Sequence, residues 1–504
     1  MDNSTVSTVQ KTPENSLPDT HRRDHVFFLI YLLSAFVCTN GIWIGGFALG
    51  FAFGALSLLV CTLCYLGKSA KVNFLSVLSL ASSFIIIISF AIHESTAFAS
   101  FKLHFLIFSL SVFLVSAYKI KAPDLCDFRA LFAPFYLFFG ANVPAIPLTA
   151  HSLASKNLSI GKKIGKILLA LLLTAPLLFV LLFLLVSADT AFENLIDAIN
   201  FDVSELVCTA ILGAMLLVCT FPVVFAIRKD RVALKKSERK PFLSILDTTF
   251  ANTVLVAVSL LYLVFLATQI SYLGGGFTGL LPNNFTYSAY ARRGFFETCL
   301  VCIINLGIIF VSEVFIKREN ERLPTLTRVL NAFISGFSIF LIATAIAKMF
   351  MYIRTYGLTF LRLGTSIFMF LLFFVFGSLI VKTFVPKFKA MTTVIAAACI
   401  IMSVTAIVEP YSIIASYNVY AYESGMMDEF ELDTNYLSYS CLSYGEKALV
   451  TLAEDENLFV ANRAKEHLDN KHSSYYYHIG NRDIREMTVA RNTADCLLKE
   501  YYQK

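Results

Sequence analysis

The sequence predicts an all-α, polytopic helical membrane protein, and three observations support that class. Of the 504 residues, 57% are hydrophobic and only 15% are charged, and the mean hydropathy is +0.70. A soluble globule of this length needs more polar surface than such a composition supplies. Apolar runs of about 20 residues, the length that crosses a bilayer as a helix, recur over the first four-fifths of the chain. Lysine and arginine are distributed unevenly between the segments that join these runs.

About eleven apolar runs are predicted to be transmembrane helices. The first is the shortest, because Asn40 and Gly41 limit its apolar run and leave it barely long enough to cross. An odd number of crossings puts the two termini on opposite sides of the membrane. The predicted spans are 26–40, 43–66, 72–92, 97–117, 166–187, 204–227, 249–271, 295–315, 329–352, 361–382 and 390–408.

The positively charged residues predict the orientation. If the N-terminus is inside, the inner segments hold 26 lysines and arginines and the outer segments up to the last span hold four. Lysine and arginine resist translocation, so this bias favours an N-terminus inside and a C-terminus outside. The predicted domains are therefore a cytoplasmic lead-in (1–25), a transmembrane domain (26–409) and an extracytoplasmic C-terminal module (410–504).

Two connecting segments have helical character of their own. Residues 130–148 are apolar but contain three prolines, which favours a re-entrant or interfacial helix over a further span and leaves the choice open. Residues 188–203 carry three acidic side chains on one helical face. We interpret them as an amphipathic surface helix, with a cation site as the alternative.

The C-terminal module differs in composition from the rest of the chain. Residues 410–504 contain 9 basic and 15 acidic residues, and their apolar spacing indicates a few short amphipathic helices. Cys441 and Cys496 lie outside the predicted spans, on the oxidising side, so they are candidates for a disulfide. The histidines of the module match no metal-ligand spacing, and no metal or cofactor is predicted.

Several residues inside the spans have structural explanations. Gly46, Gly50 and Gly54 recur at four-residue intervals, which is typical of a smooth helix-packing face. Lys102 and Lys348 are charged residues in apolar helices, a pattern that often marks function. Both are predicted near the outer ends of their spans, so we expect their ammonium groups to extend to the lipid headgroups.

Three charged stretches are predicted to meet at the outer face of the membrane. Four arginines face two glutamates there, which leaves about two positive charges for bidentate recognition of a phosphate or carboxylate. One interpretation is a charge-paired lid that fixes helix ends, and the other is a site for an anionic ligand or lipid headgroup. The residues of this outer-face charge cluster are Arg292, Arg293, Glu297, Arg354, Arg362 and Glu409.

Motifs around this cluster resemble a bacterial membrane family. The stretch from Tyr290 to Glu297, the stretch from Tyr356 to Arg362, and residues 414–437 occur in the family's order. They resemble the domain of unknown function DUF4173, which is close to DUF4153. Ser416 and the Val-Tyr-Ala that starts at Val419 replace a more basic pattern expected of the family. The resemblance implies a bacterial cytoplasmic (inner) membrane location, no established activity and no known site residues.

Three function classes remain open. Multiple spans with polar ends favour a transporter or permease, although no internal repeat is visible. The outer module favours an envelope sensor or assembly protein. A membrane-embedded enzyme acting on lipid-linked substrates has less support, because no HExxH, GxSxG, Walker A or dinucleotide motif occurs. The expected partners are the lipid bilayer and an anionic ligand or headgroup at the outer face; no nucleic acid is expected, and the oligomeric state stays open.

Overall fold

The regular structure of this chain is helical. The computed structural model describes residues 20–67, 70–94, 97–118, 133–154, 203–231, 246–276, 287–316, 323–385 and 387–503, together with positions 18, 174 and 181. Within these ranges no strand forms, apart from one isolated bridge between Leu246 and Ile316. The predicted all-α class is confirmed.

The helices are numbered in chain order. A short helix (Ala133–Phe135) and a π-helical turn (Tyr136–Asn142) lead directly into α5, and a 3₁₀ turn (Ile484–Glu486) precedes α16. The bounds are α1 (Arg22–Gly45), α2 (Leu49–Leu66), α3 (Phe74–Ile92), α4 (Phe98–Ala117), α5 (Val143–Ala154), α6 (Val203–Arg228), α7 (Thr248–Gly276), α8 (Tyr287–Phe315), α9 (Thr325–Tyr356), α10 (Phe360–Phe384), α11 (Ala390–Val408), α12 (Pro410–Glu423), α13 (Thr434–Ser440), α14 (Leu442–Ala453), α15 (Leu458–Asn481) and α16 (Val489–Gln503).

Nine helices in the described part of the chain are long and apolar enough to cross a membrane: α1 to α4, α6, α7 and α9 to α11. The chain is therefore a multi-pass membrane protein. The predicted span 295–315 is helical and forms part of α8. The predicted span 166–187 and the surface helix 188–203 fall outside the described residues, apart from isolated positions. The count of eleven stays a prediction.

The first helix is longer than its apolar run suggested. It continues past Asn40 to Gly45, because the Asn40 amide donates to the Glu205 carboxylate at 3.0 Å. A polar residue that has a partner on a neighbouring helix need not end a membrane helix.

The chain forms two compact units. The first comprises residues 1–43, 53–70 and 135–233, and the second comprises residues 44–52, 71–134 and 234–504. In the first unit, Gly54 of α2 packs on α1 so closely that a Cβ atom there would lie 2.2 Å from Cα of Cys38. The predicted packing face is confirmed at Gly54.

The other end of that glycine series has a different role. Gly46 has a φ of +61° in the turn between α1 and α2, and a Cβ atom built on it would meet nothing within 4 Å. The packing interpretation is wrong at this position. Glycine supplies the left-handed backbone that the turn requires.

A proline inside α6 explains a contact with the π-helical turn. Pro222 has no N–H, so it cannot donate to the carbonyl of Val218 four residues earlier. The Asn142 side chain donates to that carbonyl at 3.0 Å and accepts from the N–H of Val223 at 3.0 Å. One amide therefore satisfies both backbone groups that the proline disturbs.

In the second unit, serines join α3 to its neighbours. Ser83 bonds to Ser109 of α4 at 2.8 Å, and Ser403 of α11 donates to Ser82 at 2.8 Å. Small hydroxylated side chains let membrane helices approach closely and bond across the contact. These bonds hold α3 against α4 and α11, the helices whose ends carry the candidate site.

The C-terminal module packs α12 to α16 around a buried apolar core that includes Leu437, Leu449 and Leu468. A charge network supports it. The Glu446 carboxylate accepts two bonds of 2.9 Å from Arg491 and lies 3.4 Å from Nζ of Lys471. These contacts link α14, α15 and α16.

The module also contacts the connection between α9 and α10. The Asn418 amide accepts from the N–H of Leu358 at 2.6 Å and donates to its carbonyl at 3.0 Å. Two bonds to one buried residue fix α12 against that connection.

The two cysteines of the module are free thiols in this structure. Cys441 is buried and Cys496 is exposed. Burial raises the pKa of the Cys441 thiol to about 12, which makes its reactive thiolate rare. The candidate disulfide between them is absent from this structure.

Candidate functional site

A lysine of α4 is buried against a glutamate at the end of α11. The Nζ atom of Lys102 lies 3.0 Å from Oε2 of Glu409, and the side chains are 1% and 0% exposed. The ammonium also lies 4.9 Å from the ring centroid of Phe90 and 5.7 Å from that of Phe98. Ring faces carry negative charge, so the rings and the carboxylate complement the cation.

Glu409 occupies the break between α11 and α12. A residue before proline avoids the helical conformation, and proline suits the first position of a helix. Pro410 therefore ends α11 at Val408 and begins α12. Glu409 has a φ of +57°, a left-handed backbone that costs about 1–3 kcal/mol for a residue other than glycine. Its bond to Lys102 is one contact that fixes this conformation.

Next to the ion pair, His93 connects the end of α3 to two other elements. Its Nε2 lies 2.8 Å from the carbonyl of Ile407, and its Nδ1 lies 2.6 Å from the hydroxyl of Tyr444. A carbonyl only accepts, so Nε2 carries the proton. In the neutral ring Nδ1 then accepts, and the Tyr444 hydroxyl donates to it.

The surroundings keep both of these side chains neutral. Burial, and then the positive charge of Lys102, lower the pKa of His93 to about 4. Burial, and then the carboxylates of Glu409 and Glu94, raise the pKa of Tyr444. The hydrogen bond between His93 and Tyr444 is therefore one between neutral groups at pH 7, next to a pair of opposite charges.

Glu94 holds the start of α14. Its carboxylate accepts from the backbone N–H of Ser443 at 3.0 Å and from the Ser443 hydroxyl. The N-cap residue Cys441 makes no side-chain cap bond, so Glu94 supplies the anion that a helix N-terminus favours. Consecutive residues after α3 thus bind consecutive residues of α14.

A cleft of about 420 Å³ opens beside this site. His93 and Tyr444 line it, so it reaches the groups that adjoin the buried ion pair. Glu423 and Lys447 line it as well, and both are exposed. The remaining lining comes from Ile92 of α3 and from apolar, aromatic and hydroxylated residues of α12, α14 and α16. Such a mainly apolar lining with a few polar groups is typical of a small-molecule site.

The structure positions the predicted site residues in different ways. Glu409 pairs with Lys102, which corrects the expectation that Lys102 reaches the lipid headgroups. Arg362 donates to the carbonyls of Tyr356 and Gly357 and thereby caps the end of α9.

Two further members of the outer-face charge cluster, Arg354 and Glu297, are exposed. Arg292 and Arg293 belong to α8, but their side chains lie outside the described part of the chain. The joint outer-face site stays a prediction.

Sequence reasoning did not identify His93, Glu94 and Tyr444 as site residues. His93 and Glu94 are adjacent polar residues immediately after an apolar run, and Pro410 follows a glutamate at the end of another. Polar residues of this kind at the end of an apolar run indicate that the end of the helix contacts a polar group elsewhere in the protein. The partner itself, more than 300 positions away for His93, has no local signal.

The chemistry available at this site is electrostatic, because a buried cation faces a buried carboxylate. In the described part of the chain, no three histidine, cysteine, aspartate or glutamate side chains are grouped to hold a metal ion. The site combines this ion pair with the neutral hydrogen bond between His93 and Tyr444.

Comparison with known protein families finds a match over most of the chain. The model of a family described as a domain of unknown function (DUF4153) matches residues 54–452. The motifs had suggested DUF4173, close to DUF4153; membership of a domain-of-unknown-function family is confirmed, and the matching family is DUF4153. No curated protein and no solved structure matches the chain.

Proposed function

This chain belongs to the DUF4153 family, and from its buried ion pair we propose that it is a permease-like integral membrane protein with a gate at Lys102 and Glu409. The gate is the contact between these two side chains. When it separates, α4 can move away from the break between α11 and α12.

The observation that carries this proposal is the complete burial of both charges. A charged pair in a bundle of apolar helices gains little stability over apolar residues of similar volume, since desolvation offsets its attraction. Ionisable residues inside membrane proteins therefore commonly mark substrate or ion pathways. A cleft lined by His93 and Tyr444 lies next to the groups that adjoin this pair.

We also propose that this end of the bundle faces outward in a bacterial inner membrane, with the N-terminus inside. The first unit supports the alternation of spans. The Asp24 carboxylate, near the start of α1, binds Nζ of Lys229, just after α6, at 2.7 Å and the hydroxyl of Tyr65, at the end of α2, at 2.9 Å. The predicted alternation assigns these three helix ends to the inner face.

Within this proposal, the outer-face charge cluster is the candidate site for an anionic ligand or lipid headgroup. Arg354 is exposed and available to such a ligand. Arg362 already binds two backbone carbonyls, so we expect it to position the connection between α9 and α10.

Uptake measurements test the proposal. Cells that lack the protein, cells that express it and cells that express Lys102→Met are compared for uptake of labelled organic anions, amino acids and sugars. We expect at least one solute to depend on the protein and its uptake to change in Lys102→Met. Lys348→Met is the matched control, because Lys348 lies in α9 and is half-buried. If no solute depends on the protein, the permease proposal is wrong.

A sensor or assembly role is the second candidate, and the docking of the module favours it. His93 and Glu94 hold the start of α14, so a ligand in the cleft could alter the ends of the spans. Deletion of the module separates the two roles. A sensor loses its response, whereas a permease changes the rate of solute uptake.

A further inference from the structure

Three neighbouring helices, α7, α8 and α9, bury a line of polar side chains far from the ion pair in sequence. Four side-chain hydrogen bonds of 2.6–2.9 Å connect these helices. We call this set the polar seam. The donors and acceptors are Thr327 to Asn252, Asn331 to Ser312, Asn305 to Ser338, and Tyr262 to Asn305.

The contacts fix the register of the three helices. Between α7 and α9, Thr327 bonds to Asn252 and Phe337 stacks on Tyr262, and both pairs are 75 positions apart, so these helices are parallel. Between α8 and α9, the bonded position rises from 331 to 338 as its partner falls from 312 to 305, so these helices are antiparallel. The seam therefore follows one continuous line.

That line reaches deep into the bundle. From Thr327 to Ser338 the rise along α9 is about 16 Å at 1.5 Å per residue. This is about half of the roughly 30 Å hydrocarbon thickness of a bilayer. It begins in the first turn of α9, at one membrane face, and ends near the middle of the helix.

Two polar atoms along this line have no hydrogen-bond partner among the described residues: Oδ1 of Asn331 and Oγ of Ser259. Asn331 is 1% exposed and Ser259 is 6% exposed. By the parallel register, Ser259 lies level with Ile334, between the bonds of Asn331 and Ser338. A third such atom, Nε of Arg328, lies one helical turn before Asn331.

We propose that the polar seam is an internal hydration site, in which water bridges Asn331, Ser259 and the entrance beside Arg328. The amide oxygen of Asn331 needs a donor, Nε of Arg328 needs an acceptor, and the Ser259 hydroxyl accepts either role. A water molecule both donates and accepts hydrogen bonds, so it can bind to all three of these atoms. Buried waters are found where several polar groups lack protein partners. The seam forms a polar path from one face to the middle of the bundle.

This site does not depend on the gate at Lys102, since none of its residues belongs to α3, α4 or α11. Water can therefore occupy this site whether the protein is a permease or a sensor. If the permease proposal holds as well, the seam provides the bundle with a second hydrated region.

Cysteine reactivity in the full-length protein tests the inference. The eleven native cysteines are replaced, and single cysteines are introduced by Ser259→Cys or by Leu260→Cys. Leu260 is the next residue of α7 after Ser259, at nearly the same depth, but its side chain is 56% exposed. N-ethylmaleimide is added to membranes, where its ability to cross the bilayer makes the side of addition irrelevant.

We expect the Ser259→Cys thiol to react at least about tenfold faster than the Leu260→Cys thiol, because a thiolate forms only in contact with water. Adding Asn331→Leu removes the amide and should slow the Ser259→Cys reaction. Equal rates at the two cysteines, or no effect of Asn331→Leu, would overturn the hydration site and leave Asn331 as a packing contact.

A second measurement uses the chain with its native cysteines and covers the case in which the cysteine variants do not fold. Pulsed X-ray radiolysis generates hydroxyl radicals from bound water, and these label adjacent rings. We expect Tyr262 to be labelled in the native protein and less so in Asn331→Leu. An unlabelled Tyr262 in the native protein contradicts the proposal.

Discussion

Lys102 and Glu409 lie 307 positions apart, yet each is the other's partner in an apolar surrounding. The distance between them is short because α4 and α11 both pack on α3, where serines bring the helices close. At the scale of the residue, the site consists of individual polar groups. Each of them destabilises the folded protein if it is buried without a partner.

The ion pair predicts a non-additive pair of substitutions. Lys102→Met leaves the Glu409 carboxylate buried without its cation, so we expect a loss of about 3–5 kcal/mol in the free energy of unfolding. Adding Glu409→Gln removes the stranded charge and should recover most of that loss. Denaturant titration in detergent micelles measures both variants. Additive losses would contradict the pairing.

His93 predicts a dependence of stability on pH. Its pKa falls from an ordinary 6.5 to about 4 on folding, so the unfolded chain binds the proton more readily. The stabilising contribution is complete above pH 6.5 and is lost as the pH falls towards 4, by up to about 3 kcal/mol.

His93→Gln tests this dependence. Glutamine can replace both hydrogen bonds without titrating, so the slope in unfolding free energy between pH 6.5 and 4 should decrease. The matched control is His104→Gln, since His104 is exposed on α4. If the unfolding free energy of His93→Gln falls as steeply between pH 6.5 and 4 as that of the native protein, another titrating group causes the pH dependence.

At the scale of the element, helix contacts depend on where small residues fall. Gly54 brings α1 and α2 together, whereas Gly307 of α8 has open space around the position of a Cβ atom. The four-residue glycine spacing was visible in the sequence. Which glycine packs and which one turns was not, because that depends on the partner helix.

Two alanine substitutions separate these roles. Gly54→Ala places a methyl group 2.2 Å from Cα of Cys38, so α1 and α2 must move apart. We expect a loss of about 1–3 kcal/mol in unfolding free energy, as in other overpacked contacts. Gly307→Ala should be neutral or slightly stabilising, because alanine favours the helix. Equal effects in thermal unfolding would argue against the close contact.

At the scale of the whole molecule, composition and hydropathy were sufficient for the class and for most spans. Apolar runs of membrane length have few alternatives to helices in a bilayer. The site was less accessible to prediction. Lys102 was visible as a charge, but its depth and its partner depend on how α4 and α11 pack, and no local pattern encodes that.

The proposed orientation, with the N-terminus inside, predicts the activity of reporter fusions. Alkaline phosphatase fused after residue 430 should be active, because it folds only outside the cytoplasm, and a fluorescent cytoplasmic reporter at the same position should be dark. Fusions after residue 320, in a predicted inner segment, should give the opposite result. The reverse pattern at both positions would show that the topology is opposite to the proposed one.

The contact between Asn142 and α6 has a consequence for how the chain enters the membrane. Without Asn142, the carbonyl of Val218 and the N–H of Val223 would each lack the side-chain partner that they have in the folded protein. Asn142 precedes its two backbone partners, Val218 and Val223, by 76 and 81 positions in the sequence. The ribosome therefore synthesises Asn142 about 80 residues before Pro222. Asn142 is thus already present at the translocation machinery when α6, with Pro222, emerges. The α6 helix can therefore enter the bilayer together with the side chain that bonds to its two backbone groups.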